Sequence, residues 1–141
     1  MNVTKSNLYN SISKEHNLSL GDLFLFENVA VIQVHEGMHV DIDSLQDCLE
    51  ILYDFYEKRK KPFSLISNRI NKYSIEVLDY PKYSSLFDNI CMYGIIGYSS
   101  FSEMNISIEK RFSKMKTLTF NTLNEAFTYS NTVAQNKVSI N

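Results

Sequence analysis

The sequence predicts a single α/β domain built on a mixed central sheet. Short β-branched and aromatic runs alternate with segments of helical periodicity, and the first such runs meet at a two-residue polar turn, Glu27-Asn28. A later run, Ile90-Cys91-Met92-Tyr93-Gly94-Ile95-Ile96-Gly97, is apolar without alternation, as a central strand covered on both faces must be. The expected order is β-β-α-β-α-β-α-β-α, an opening antiparallel hairpin followed by parallel strands joined by right-handed crossovers.

Taken in order, residues 1–16 are rich in Asn, Ser and Lys and read as an N-terminal tail or arm; the domain proper spans 17–136, and 137–141 is a C-terminal tail. Leu18-Ser19-Leu20 and Leu23-Phe24-Leu25-Phe26 are strand-like, with Gly21-Asp22 as a bulge between them, and Val29 to Val34 completes the hairpin. Asp41 or Asp43 caps the next helix, whose Leu45, Cys48, Leu49, Leu52, Phe55 and Tyr56 share one face. Lys58-Arg59-Lys60-Lys61 places positive charge at its carboxyl end, and Pro62 stops it. Phe63 to Ser67 is a strand. Ser74 is the expected N-cap of a helix carrying Val77, Leu78, Leu86 and Phe87, interrupted by Pro81. Ser100 and Glu103 have capping-box spacing ahead of a stripe formed by Phe101, Met104, Ile108, Phe112 and Met115; Thr122 and Glu125 repeat that spacing after the strand Thr117 to Phe120.

Composition bounds the function. A chain of 141 residues fits one domain with a sizeable core, and 44% hydrophobic with 21% charged residues is ordinary globular composition. A net charge of −2 and a pI near 5.9 lack the basic surplus of a nucleic-acid binder. Ile90 to Tyr98, the longest apolar run, is too short for a membrane span, and Met1 to Ser13 lacks the apolar stretch of a secretory signal. Cys48 and Cys91 have neither metal nor redox spacing. A soluble, reduced, cytoplasmic protein without a cofactor is the expectation.

Two segments hold chemistry-bearing side chains. His35-Glu36-Gly37-Met38-His39 matches the H-E-x-x-H pattern, which on a helix would set His35 and His39 on one face to hold zinc with Glu36 as general base. The preceding β-branched run and Gly37 favour a strand end and turn instead, leaving a small zinc metallohydrolase as an alternative. The second segment, Ser67-Asn68-Arg69-Ile70-Asn71-Lys72-Tyr73-Ser74, reads as a loop at the carboxyl end of a buried strand, where open α/β sheets place ligand and switch sites. Ser67, Asn68, Arg69, Asn71, Tyr73 and Ser74 are its candidate binding residues. Arg69 and Tyr73 exceed what a turn needs, and Ser74 at a helix start is suited to cap or to carry a phosphate.

These residues and the element order resemble the small proteins of Bacteroidetes grouped as STAS-like, related to anti-sigma-factor antagonists and labelled STAS/SEC14. The likeness rests on Glu36-Gly37 after the hairpin, on Lys61-Pro62-Phe63 through Ser67-Asn68-Arg69-Ile70-Asn71-Lys72-Tyr73-Ser74 against a "KPF…ISNRxNxYS" run, and on the strand end Ile95 to Ser99. It implies a STAS-like mixed sheet with helices mainly on one face, and Ser74 near the serine that partner kinases phosphorylate in anti-sigma antagonists, although the acidic surroundings of that serine are absent here. The expected function is a non-enzymatic regulatory or binding module whose 67–74 loop contacts a protein partner or small ligand, with a homodimer among the allowed assemblies. A carrier of a small apolar ligand is a further alternative.

Overall fold

The computed structural model describes residues 1–98, 106–111, 113 and 115–140, with side chains through residue 137. Its strands are β1 (Lys14–Asn17), β2 (Gly21–Leu25), β3 (Val29–Val34), β4 (His39–Val40), β5 (Phe63–Arg69), β6 (Ser74–Ile75), β7 (Ile90–Gly97) and β8 (Thr117–Phe120). The helices are α1 (Gln46–Leu52), which continues as a π-helical turn over Tyr53–Glu57, then α2 (Tyr80–Tyr83), α3 (106–111) and α4 (Leu123–Ile140).

Six strands form one sheet in the order β1-β2-β3-β5-β7-β8, and β4 and β6 form a separate parallel pair. β1, β2 and β3 are antiparallel neighbours, whereas β3, β5, β7 and β8 run parallel. Each parallel crossover steps one place across the sheet in the same direction. Right-handed connections taken repeatedly in one direction put their helices on one face. Residues of α1 and β5, among them Cys48, Leu52 and Phe63, accordingly pack with Leu23, Leu25 and Ile32, while Tyr80, Tyr83 and Ile106 of α2 and α3 pack with Tyr93 and Ile95. The opposite face is covered by α4, whose Leu123 and Ala126 pack with Phe24, Val31, Ile66 and Ile96, and by Val3 of the N-terminal segment. Strand alternation divides the core this way: odd and even positions of β2 and β7 feed different layers. No helix among the described residues is long and apolar enough to cross a membrane.

Several local expectations change. The N-terminal segment is not loosely attached: Val3 is fully buried, its N–H donates to Gln33 Oε1 at 2.9 Å, and β1 extends the sheet edge. Leu18 to Leu20 turn the chain instead of forming a strand, with the Leu18 N–H donating to the Gly21 carbonyl at 2.9 Å. Gly21 is a paired strand residue and no bulge; a Cβ there would lie 2.3 Å from the Gln33 carbonyl oxygen, so the strand approach requires glycine. α4 continues through most of the expected C-terminal tail, and Thr122 Oγ1 accepts from the Glu125 N–H at 3.1 Å as its start. Ile108 is exposed and not part of a buried stripe. Ser100, Phe101, Glu103, Met104 and Phe112 lie outside the described residues.

Neither Asp41 nor Asp43 caps α1, whose N-cap is Leu45 with no side-chain bond; Asp41 Oδ1 instead accepts from the Ser44 N–H at 2.7 Å in the turn that precedes the helix. At its far end Lys58 pairs with Asp54 at 3.0 Å, Lys61 with Glu27 at 2.6 Å, and Arg59 lies 5.0 Å over the Phe55 ring. Lys58 and Arg59 thus engage the end of the helix itself, and Lys61 reaches across to the β2–β3 turn.

Candidate functional site

β5 is longer than its apolar run suggested. Parallel pairing continues to Arg69 opposite Gly97, so Ser67, Asn68 and Arg69 are buried strand residues and not a loop. Only Ile70 to Tyr73 connect β5 to β6. Alternation then sends the three side chains to different layers.

Asn68 faces the N-terminal segment. Its Nδ2 donates to the Met1 carbonyl at 2.7 Å and to Gln33 Oε1 at 2.9 Å, and its Oδ1 accepts from the Tyr98 hydroxyl at 2.7 Å. Asn71 Nδ2 donates to the Val34 carbonyl at 3.0 Å, fastening the connection to the end of β3. Both amides are occupied by structural bonds.

Ser67 and Arg69 face α1 to α3. The Arg69 guanidinium forks onto both carboxylate oxygens of Glu109 in α3, and the Tyr80 hydroxyl donates to the same carboxylate. Arg69 also donates to Ser67 Oγ at 3.2 Å and to the Tyr93 hydroxyl at 3.3 Å, and its guanidinium stands 5.7 Å from the Tyr73 ring centre. Ser67 Oγ and the Tyr73 hydroxyl share a hydrogen bond of 3.1 Å. Burial opposes the charge on Arg69, but Tyr93, the Glu109 carboxylate and Tyr73 outweigh it and hold the guanidinium protonated well above its ordinary value. Burial pushes the Tyr73 hydroxyl up to about 12 and raises Tyr80 well above the usual phenol. The ensemble is a neutralised polar brace with its donors engaged.

Ser74 does not cap a helix. It lies in β6 opposite His39 of β4, exposed, with its Oγ 2.7 Å from His39 Nδ1. The turn that follows is capped by Glu76, whose side chain accepts from the Leu78 N–H at 3.2 Å. The histidines of the H-E-x-x-H pattern have no helix beneath them: β3 ends at Val34, Gly37 takes φ +78°, and His39 begins β4. Glu36 accepts from the Lys72 N–H at 2.9 Å, and His39 Nε2 lies 4.0 Å from Asp41. His35 and His39 therefore do not share a helical face, because the turn needs the left-handed glycine between them.

Beside the brace lies a partly open cavity of about 80 Å³ between the sheet and the layer of α1 and α2. Ile32, Val40, Leu49 and Leu65 typify its apolar lining, and Ser67, Tyr73, Tyr80, Tyr83 and Tyr93 supply its polar atoms. Of these, the Tyr83 hydroxyl alone is buried with no hydrogen-bonding partner in the protein. Cys48 also lines the cavity, where burial pushes its thiol up to about 11.

Two of the residues expected from sequence, Ser67 and Tyr73, thus reach the cavity wall, and Arg69 braces it. Asn68, Asn71 and Ser74 do not line it. Sequence reasoning missed Glu109, Tyr80, Tyr83, Tyr93 and Gln33. Glu109 sits 40 positions beyond Arg69 with no local sign of pairing. Tyr80 and Tyr83 offered a faint signal, since two phenols at three-residue spacing beside Pro81 put hydroxyls on an apolar face. The chain matches no protein-family model, and neither a curated protein nor a solved structure is detectably similar to it.

Proposed function

We propose that this protein is a non-enzymatic cytoplasmic binding module for a small, largely apolar molecule held between the sheet and α1–α2, as befits the STAS/SEC14-labelled proteins its sequence resembles. The observation that carries this reading is the cavity of about 80 Å³. Protein interiors are packed like organic crystals. A ligand of a few heavy atoms seated in that cavity gains dispersion contacts with the apolar lining.

The chemistry of the lining favours holding over reacting. The phenols of Tyr73, Tyr80 and Tyr83 and the thiol of Cys48 are all shifted upward by burial, so none is poised to exchange a proton or attack at neutral pH. The charged groups nearby, Arg69 and Glu109, neutralise one another. In this reading Ser67 and Tyr73 are wall residues of the cavity and not members of a recognition loop, and Arg69 acts by positioning that wall.

Native mass spectrometry of the protein purified from its own cells tests this. Wild type is expected to carry a small adduct released by organic denaturation, and Leu49→Phe, which fills the cavity, to lack it. Adducts of equal abundance on both proteins, or on neither, would contradict the proposal.

A further inference from the structure

Five hydroxyl-bearing residues line the cavity among the described residues, Ser67, Tyr73, Tyr80, Tyr83 and Tyr93, and none leaves its hydroxyl waiting for a ligand. Ser67 Oγ accepts from Arg69 at 3.2 Å and shares a bond of 3.1 Å with the Tyr73 hydroxyl. The Tyr93 hydroxyl accepts from Arg69 at 3.3 Å, and that of Tyr80 donates to Glu109. The Tyr83 hydroxyl has no partner, but its oxygen has essentially no accessible surface and is shut off from anything that enters. What the space presents instead is hydrocarbon. Leu65 sits within β5, with β3 and β7 paired on either side, and its neighbours Ser64 and Ile66 are both 0% exposed. Leu65 itself is only partly buried. Side chains alternate between the faces of a strand, so that exposure lies on the cavity side, where the four-residue α2 leaves the middle of the sheet uncovered.

Resting on the ligand reading above, we propose that the cavity receives a short aliphatic group with no hydrogen-bonding atom of its own. Its size is on the order of three carbons, since about 80 Å³ is roughly half of a cavity that holds benzene. A hydroxyl or carbonyl entering the space would shed its water and find a partner only by breaking a bond that the wall already makes. A charged head group fares worse, because Arg69 and Glu109 are forked onto one another and neither is free to receive it. The same alkyl chemistry is offered by a free small hydrocarbon and by the alkyl end of a longer molecule whose remainder stays outside the partly open cavity.

The test follows the methyls of Leu49 and Leu65 by NMR titration of the full chain at pH 7. The probes are xenon, propane, and ethanol, which matches propane in heavy atoms but replaces a methyl with a hydroxyl. Xenon and propane are expected to shift these methyls saturably in wild type and not to shift Leu65 in Leu49→Phe. Ethanol should bind wild type at least tenfold more weakly than propane, as a polar group buried without a partner must. Tyr73→Phe removes one bond from Ser67 Oγ and leaves it able to accept another, so ethanol should gain about fivefold there with propane unchanged. 1-Hexanol separates the two sources. Saturable shifts at least as tight as propane's assign the alkyl end of a longer molecule, and their absence assigns a free small hydrocarbon. Ethanol bound as tightly as propane, ethanol unchanged in folded Tyr73→Phe, or xenon entering without propane overturns the alkyl assignment while the cavity reading stands. Failure of both xenon and propane to enter wild type overturns the cavity reading and this inference with it.

Discussion

Arg69 is the residue on which the α3 side of the domain depends. Its guanidinium and the Glu109 carboxylate are both almost wholly buried. Removing one member of such a pair leaves an uncompensated charge in the interior. Arg69→Ala is therefore expected to lower stability by about 3–5 kcal/mol, and Arg69→Met with Glu109→Leu to recover much of it. Urea titrations of the three proteins check this; a single mutant within about 1 kcal/mol of wild type would show the pair to be solvated. The sequence singled out Arg69 and Tyr73 as residues with more capacity than a turn needs and placed them on a recognition loop, whereas Arg69 is buried against Glu109. It could not show that they point inward, because strand length is set by pairing with β7 and by a carboxylate far along the chain.

At the scale of elements, the junction of β4, α1 and α2 is tied by Asp79, a buried carboxylate that accepts from the Ile42 N–H at 3.0 Å and from Lys82 at 3.1 Å. The Ile42 N–H first, and then Lys82, hold its carboxyl below the ordinary value. A depressed folded pKa means that the unfolded chain takes up the proton first. The stabilisation is thus complete above the unfolded value of about 3.9 and is lost as pH falls through the folded one. Asp79→Asn should lie below wild type in melting temperature at pH 7, with the gap closing on acidification through that window; a gap that stays constant with pH would remove Asp79 from the acid response. Elements with long periodic patterns, such as the β2–β3 hairpin, α1 ahead of Pro62, and β7, were legible. β4 and β6 were not, since two paired residues leave no periodicity, and Ser74 looked like a cap only because β6 is invisible beside Pro81. Ser74→Ala should accordingly leave melting nearly unchanged, losing an exposed bond to His39 and no helix cap.

For the whole molecule, one rule governs the architecture. Four parallel strands added in one direction place α1, α2 and α3 together, and the long α4 with the N-terminal segment covers what they leave bare. β7 lies between these layers, with Ile95 and Ile96 both 0% exposed and facing opposite sides. Ile95→Asp should then abolish cooperative folding or cost several kcal/mol, because no partner awaits a carboxylate there; an unchanged thermal melt would place the strand at the surface. The fold class was readable in the alternation of runs. The cavity was not, because a void arises from how side chains of distant elements fail to meet, and no residue pattern encodes it.

A crystal structure of the wild-type protein under xenon pressure shows directly whether the space between the sheet and α1–α2 admits a ligand. An anomalous peak enclosed by Leu49, Leu65 and Tyr83 is the predicted result. Well-ordered crystals with no xenon in that space, and with those side chains packed against one another, would contradict it.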